Sequence, residues 1–188
     1  MNDAPSTLEF FLLSQLLLEP CSGYELRKSI LSSPITHFSD SPGSIYPALR
    51  RLVKRNWIAP SLATGRLGHS KTVYKVMPLG EEEIRRWLQT KISGNDVAGH
   101  LDELMLRFAV IDRVLGREES LQFLNSLQTN VEGYVEELRA RLERGNELTG
   151  NARLAMEHGL MGYEATRLWT NRALRRMESE LPRSAGNA

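Results

Sequence analysis

The 188 residues hold one cysteine, Cys21, so no disulfide can close within the chain, and a reducing cytoplasm is the expected setting. No run of 18 apolar residues occurs, so no membrane span is expected. The first apolar segment has no basic region before it and no small-residue cleavage site, so it does not read as a secretory signal. Catalytic signatures are missing as well. There is no phosphate-binding glycine loop, no GxSxG, no HExxH and no cysteine pair. His37, His69, His100 and His158 are scattered without metal-ligand spacing. Glu81, Glu82 and Glu83 are consecutive, so they point in different directions and match a helix dipole instead of forming a catalytic pair. No enzyme activity, cofactor or metal is expected.

Acidic residues are absent from one long stretch. Arg50 to Lys75 holds Arg50, Arg51, Lys54, Arg55, Arg66, Lys71 and Lys75 with no Asp or Glu between them. Lysine, in turn, is absent beyond Lys91. Residues 1–92 carry 12 Lys+Arg against 8 Asp+Glu, a balance of +4, and residues 93–188 carry 12 against 15, a balance of −3. The net charge of +1 therefore hides a basic first half and an acidic second half. A local positive field suits a polyanion. A solvated surface is the competing explanation for any basic run. It weakens here because the acid-free stretch spans both a helix and a hairpin.

The order of elements can be read from spacing and breakers. Thr7 is placed to cap a helix through Leu8, Phe11, Leu12, Gln15 and Leu16, and Pro20 stops it. Ser22 offers a second cap, before a helix whose core candidates are Tyr24, Leu26, Ile30 and Leu31. The turn-rich segment SSPITHFSDSP follows. The next helix is the basic one. If Ser44 caps it, Pro47 falls harmlessly in its first turn; if it starts at Ser41, with Pro42 first, Pro47 should kink it. Ile45, Leu49, Leu52 and Val53 face inward in either case, and Arg50, Arg51, Lys54 and Arg55 face out. Asn56 ends this helix. Trp57 and Ile58, then Thr72 to Val76, have strand composition around a glycine-flanked tip that carries Arg66, His69 and Lys71. Pro78 stops the second strand, and an amphipathic helix through Ile84, Trp87 and Leu88 follows. A basic helix that fits the major groove, beside a basic wing that reaches phosphates or the minor groove, is how a small domain holds duplex DNA.

The runs LLLEPCSGYEL, SPGSIYPALRRLVKRNWI and the strand–Pro–LGEEEIRRWL sequence resemble the PadR family of transcriptional regulators over residues 8–92. The resemblance implies a winged helix–turn–helix domain, dimerisation through C-terminal helices and, usually, repression. It also implies DNA contacts from Tyr24 on the second helix, from Ser44, Tyr46 and Arg50 on the recognition helix, and from basic wing residues. The wing tip departs from the family's denser basic-aromatic run, with Val73 where an aromatic is usual. Cys21 reads as a packing residue.

Ser93 to Gly99, SGNDVAG, reads as a linker. Beyond it the pattern is helical. Leu101, Leu104, Met105, Phe108 and Ile111 form one face, closed by Gly116. From about Arg117 to Arg144, the positions Leu121, Leu124, Gln128, Val131, Val135, Leu138 and Leu142 step by three and four like a coiled-coil seam. A last helix, about Asn151 to Leu181, has a large stripe (Met156, Leu160, Tyr163, Thr170, Leu174, Met177) beside a small one (Ala155, Gly159, Gly162, Thr166, Trp169, Ala173). Two stripes predict burial on two sides, with Gly159 and Gly162 letting another helix come close.

The expectation is a mainly α chain with a small β-wing: a winged helix–turn–helix DNA-binding domain at 1–92 and a helical dimerisation domain at 93–188. Its partners would be an inverted-repeat operator in double-stranded DNA and a second copy of the chain, with no membrane. Its function would be repression, relieved by a small aromatic or phenolic effector. DNA contacts would come from Tyr24, Ser44, Tyr46, Arg50, Arg51, Lys54, Arg66 and Lys71. Trp87, Tyr163 and Trp169 are the candidates to line an effector cavity; the competing reading makes them core and interface fillers. The alternatives of another class are a helical protein-interaction module and an activator without small-molecule control.

Overall fold

The structure is a computed structural model, and it describes residues 4–33, 41–64, 70–144 and 149–179. It forms two compact units. One comprises Met1–Thr90 and Met105–Val110, the other Lys91–Leu104 and Ile111–Ala188.

The first unit opens with α1 (Thr7–Leu16), whose N-cap is Ser6 and not Thr7. The reason lies three residues on. The Ser6 hydroxyl accepts from the Glu9 amide, while the Glu9 carboxylate accepts from the Ser6 amide at 2.8 Å, a reciprocal cap that only Ser6 is spaced to make. Phe11, Leu12, Leu13 and Leu16 are buried. A short strand, β1 (Cys21–Ser22), leads into α2 (Gly23–Ser32), capped by Ser22 with Glu25 in the same reciprocal way. Leu26 and Ile30 turn inward as predicted. Tyr24 and Leu31, expected beside them, are exposed. Both lie roughly 100° or more around the helix from the Leu26–Ile30 edge, and one short helix has only one buried edge.

The earlier of the two starts is the observed one for α3 (Pro42–Lys54): Ser41 is the N-cap, Pro42 stands first and Pro47 lies inside the helix. Ile45, Ala48, Leu49 and Leu52 fill the core. Asn56 adopts φ 58°, and the amides of Asn56 and Trp57 reach back to the carbonyls of Val53 (2.9 Å) and Leu52 (3.0 Å). This left-handed cap turns the chain straight from helix into strand. β2 (Ile58–Thr64) pairs antiparallel with β3 (Ser70–Val76), from Ile58 opposite Val76 to Thr64 opposite Ser70. β1 pairs on the other side of β3, Cys21 opposite Tyr74, so the predicted hairpin is part of a three-stranded sheet in the order β1-β3-β2. The wing tip with Arg66 and His69, and the turn containing His37, lie outside the described residues.

Pro78 both ends the strand and opens α4 (Pro78–Leu88). Ile84, Trp87 and Leu88 are buried, and the Trp87 ring stacks on Phe10 with centroids 4.5 Å apart. Gly80 presses against the carbonyl of Trp57: a Cβ added there would lie 2.3 Å from that oxygen. The same carbonyl accepts from the Met77 amide at 2.9 Å. A buried arginine from the Met105–Val110 segment, Arg107, donates to the carbonyls of Leu88 (3.1 Å) and Thr90 at the end of α4. There it satisfies carbonyls that the helix itself leaves open.

In the second unit the predicted linker is a short helix, α5 (Gly94–Gly99), because Ser93 and Asp96 form a third reciprocal cap and Val97 is buried. α6 (Leu101–Val114), whose Met105–Val110 belongs to the first unit, is capped by Leu115 and followed by Gly116 with φ 103°. α7 (Arg117–Arg144) and α8 (Gly150–Ser179) pack as an antiparallel pair. Arg117 donates to Met177, Gln128 to Asn171 and Arg139 to Glu164, so early α7 meets late α8. Leu124, Val131, Val135, Leu138 and Leu142 of the predicted seam are buried, joined by Phe123 and Leu127. Leu121 and Gln128 sit at its margin. The large stripe of α8 packs inward through Thr170 and Leu174. At Gly159 and Gly162 of its small stripe, no atom of the described residues lies within 4 Å of an added Cβ, so the close helix approach expected there does not occur among them. No helix among the described residues is long and apolar enough to cross a membrane.

Candidate nucleic-acid interface

Residues four apart on a helix share an edge. On α3, Tyr46, Arg50 and Lys54 therefore form one row and Arg51 and Arg55 another. All three residues of the first row are exposed. No side-chain hydrogen bond or ion pair among the described residues engages Arg50 or Lys54.

The second row is tied down. Arg51 Nε donates to Glu9 Oε1 at 3.2 Å and Arg55 Nη1 to the same oxygen at 2.8 Å. Arg55 also lies over the Trp57 ring, 5.3 Å from its centroid. Glu9 is only 1% exposed, and its other oxygen takes the amide and hydroxyl of Ser6. One buried carboxylate thus caps α1 and holds the C-terminal end of α3. Arg51 keeps a 49% exposed side chain but spends its Nε–H on the fold.

The wing shows the same pairing. Lys71 Nζ donates to Glu25 Oε1 at 2.8 Å, joining β3 to the first turn of α2. Lys71, then the amide and hydroxyl of Ser22, hold the Glu25 carboxyl down at about 2. The group is thus ionised throughout the working pH range. The sequence run is free of acids, but in space Glu9 and Glu25 fold back onto it from outside. The sequence reading missed both. The capping spacing Ser-x-x-Glu at Ser6 and Ser22 was the signal that could have found them.

Between α2, α3 and β3 lies a groove of about 490 Å³, lined by Tyr24, Tyr46, Tyr74, Thr72, Glu25 and Lys71 along with Ser22 and Gly23. Tyr24, 71% exposed, stands on its rim. Tyr46 packs closely against Gly23: a Cβ at Gly23 would come within 2.8 Å of the Tyr46 ring. Three of the predicted contacts, Tyr24, Tyr46 and Lys71, therefore converge on one groove. Ser44 sits at the start of α3 with its hydroxyl 3.0 Å from that of Ser41. Arg66 lies outside the described residues.

Cys21 sits at the base of this region, buried. Burial first, then the charges of Glu25 and Glu19, push its thiol up to about 11. It remains a protonated packing group, not a nucleophile. Among the described residues no cluster of His, Cys, Asp or Glu could hold a metal ion.

The three aromatic residues read as an effector lining have different settings. Trp87 is a core ring of the first unit. Tyr163 donates its hydroxyl to the Ala98 carbonyl at 3.1 Å and meets Tyr134 edge-on at 4.7 Å. Trp169 lies six residues further along α8, roughly 240° around it, and is partly exposed. Tyr163 and Trp169 therefore do not share a face.

Residues 12–86 match the model of the transcriptional regulator PadR-like family. No curated protein matches the chain. Among solved structures, a PadR-like transcriptional regulator from Bacillus cereus is 28% identical over 52% of this chain and 90% of its own, with a TM-score of 0.41. Bacillus subtilis PadR, in complex with operator DNA, is 18% identical over 92% of this chain and 99% of its own, with a TM-score of 0.42. A second PadR-like regulator from Bacillus cereus is 20% identical over 94% and 99%, with a TM-score of 0.41. The matched residues run from α1 through the basic helix and the sheet into α4, so it is this part of the chain that is similar to the transcriptional regulator PadR-like family.

Proposed function

We propose that the chain binds an inverted-repeat operator in double-stranded DNA as a homodimer and represses transcription there. The observation that carries this reading is the exposed row Tyr46, Arg50 and Lys54 on α3 beside the wing. It gives one helix edge with cations that no carboxylate engages among the described residues. Residues 1–92 would make the DNA contacts, with Tyr24, Ser44 and Arg51 flanking that row and with Arg66 and Lys71 on backbone phosphate.

Residues 93–188 would form the dimer. Support comes from α8, where Leu154, Met161 and Leu168 are exposed at seven-residue steps beside Ala155, Gly162 and Trp169. An apolar row at this spacing is a seam that a second helix covers. Two recognition helices would then meet successive major grooves about 34 Å apart, or a multiple of that. A dimer lying across two grooves excludes other proteins from that stretch, which makes repression its direct consequence. Relief by a small aromatic or phenolic effector belongs to the same proposal; its support is the partly exposed Trp169 ring next to that row.

Mobility shift separates the alternatives. Arg50→Ala should weaken operator binding by about 1–3 kcal/mol if the guanidinium reads a guanine edge. Arg51→Ala should weaken it less, because Glu9 already holds that side chain. Equal losses would put the wrong row in the groove, and no shift on any duplex would leave a protein-interaction module as the better account. For the dimer, Met161→Glu places a charge in the apolar row and should yield monomers in sedimentation; an unchanged dimer would move the interface elsewhere.

A further inference from the structure

We propose that Glu25 sets the DNA selectivity of the wing: it holds Lys71 in the free protein and yields it to a backbone phosphate seated in the groove between α2, α3 and β3. This rests on the DNA-binding reading above and names a binding place and a selectivity residue within it.

The groove has the chemistry of an oxyanion site. Tyr24, Tyr46, Tyr74 and Thr72 bring hydroxyl donors, and Lys71 brings an ammonium. Among its described lining residues the one acid is Glu25, and both oxygens of that acid are already engaged. Oε2 accepts the Ser22 amide and hydroxyl, each at 2.7 Å, and Oε1 accepts Lys71 at 2.8 Å. The two halves of this arrangement differ in strength. The Ser22 bonds are local and close the cap of α2. The Lys71 bond crosses 46 residues between side chains that are 43% and 44% exposed, and such pairs are weak. Lys71 can therefore leave without unfolding anything, while Ser22 keeps Glu25 in place.

The consequence is competition. A phosphate that enters the groove takes Lys71 and must tolerate the carboxylate left behind. Only a duplex whose other contacts seat that phosphate well compensates for the repulsion. A random duplex, held loosely by charge alone, does not. The groove also depends on Gly23, since a side chain there would push Tyr46 out of its wall.

Glu25→Gln tests this, because glutamine keeps the acceptor of the α2 cap and loses the charge. The probes are a random-sequence duplex and the duplex that the wild-type protein enriches from a random pool, each titrated with salt. The variant should bind the random duplex about tenfold more tightly, with a salt slope steeper by about one, and should gain less on the enriched duplex. Adding Lys71→Ala should cancel the gain. Melting curves matching the wild type confirm that the cap is intact; if they fall, Lys71→Ala alone still decides, since it should lower the salt slope by about one. Wild-type binding with no gain in Glu25→Gln, or a gain that survives Lys71→Ala, overturns the inference alone. A wild-type protein that holds no duplex overturns the DNA-binding reading and this inference with it.

Discussion

Gly80→Ala should lower the melting temperature of the first unit by roughly 10 °C, followed by the fluorescence of Trp57 and Trp87. In a solvated helix the same change raises stability, by up to about 1 kcal/mol. The sign reverses here because of what the new methyl group meets. It would lie 2.3 Å from the Trp57 oxygen, 3.0 Å from the carbonyl carbon and 3.1 Å from the Cα. All three are backbone atoms, so no rotamer change relieves the clash. α4 must lift off the start of β2, and the bond from the Met77 amide to the same carbonyl stretches with it. Overpacking of this kind typically costs about 1–3 kcal/mol, and a rigid neighbour puts it at the upper end. A melt at or above the wild-type temperature would mean that α4 slides freely, and that the approach is not a constraint on the fold.

This glycine illustrates what could and could not be seen in the sequence. The helices were legible, because apolar residues at steps of three and four mark a buried edge wherever the helix is long. The seam of α7 and the inner edge of α4 follow it closely. Caps were legible where only one hydroxyl residue was available, as at Ser22. At the first helix, Ser6 and Thr7 compete, and Glu9 decides between them. β1 was not legible: two residues have no periodicity, and they form a strand only because β3 offers partners 51 and 53 residues away. Tyr24 and Leu31 were misplaced because apolar character was taken for burial on a helix with a single inner edge. The basic surface was legible as composition. Its division into an open row and a tied row was not, because the acids that make it sit 42 and 46 residues from their partners in the chain.

Removing the acid at the centre of that division should have the second large effect. Glu9→Ala should destabilise the first unit by about 3 kcal/mol in chemical denaturation. The carboxylate is buried and takes four donors: the Ser6 amide and hydroxyl, Arg51 Nε and Arg55 Nη1. Its loss removes the return half of the α1 cap and takes a partner from Arg55, which is 19% exposed and packed over Trp57. Arg51 is half in water and rehydrates, which keeps the figure at the low end for a broken buried pair. Glu9→Gln retains the acceptor for Ser6 and should lose about half as much. An alanine variant as stable as the wild type would show that the node serves orientation of α3 and not its anchorage.

The sheet order carries a consequence for the protein in a crowded solution. β3 is paired on both sides, so β2 is an outer strand and the longer of the two, seven residues from Ile58 to Thr64 without a single charge and with Leu62 exposed. An uncharged outer strand is a template on which a stranger's strand can line up and begin a clump. Pro60 stands near its middle and has no N–H to offer, so the row of donors a newcomer would need is interrupted there. The wing can be smooth enough to lie along another molecule's backbone, and still resist sticking to its own kind, because of that imino acid.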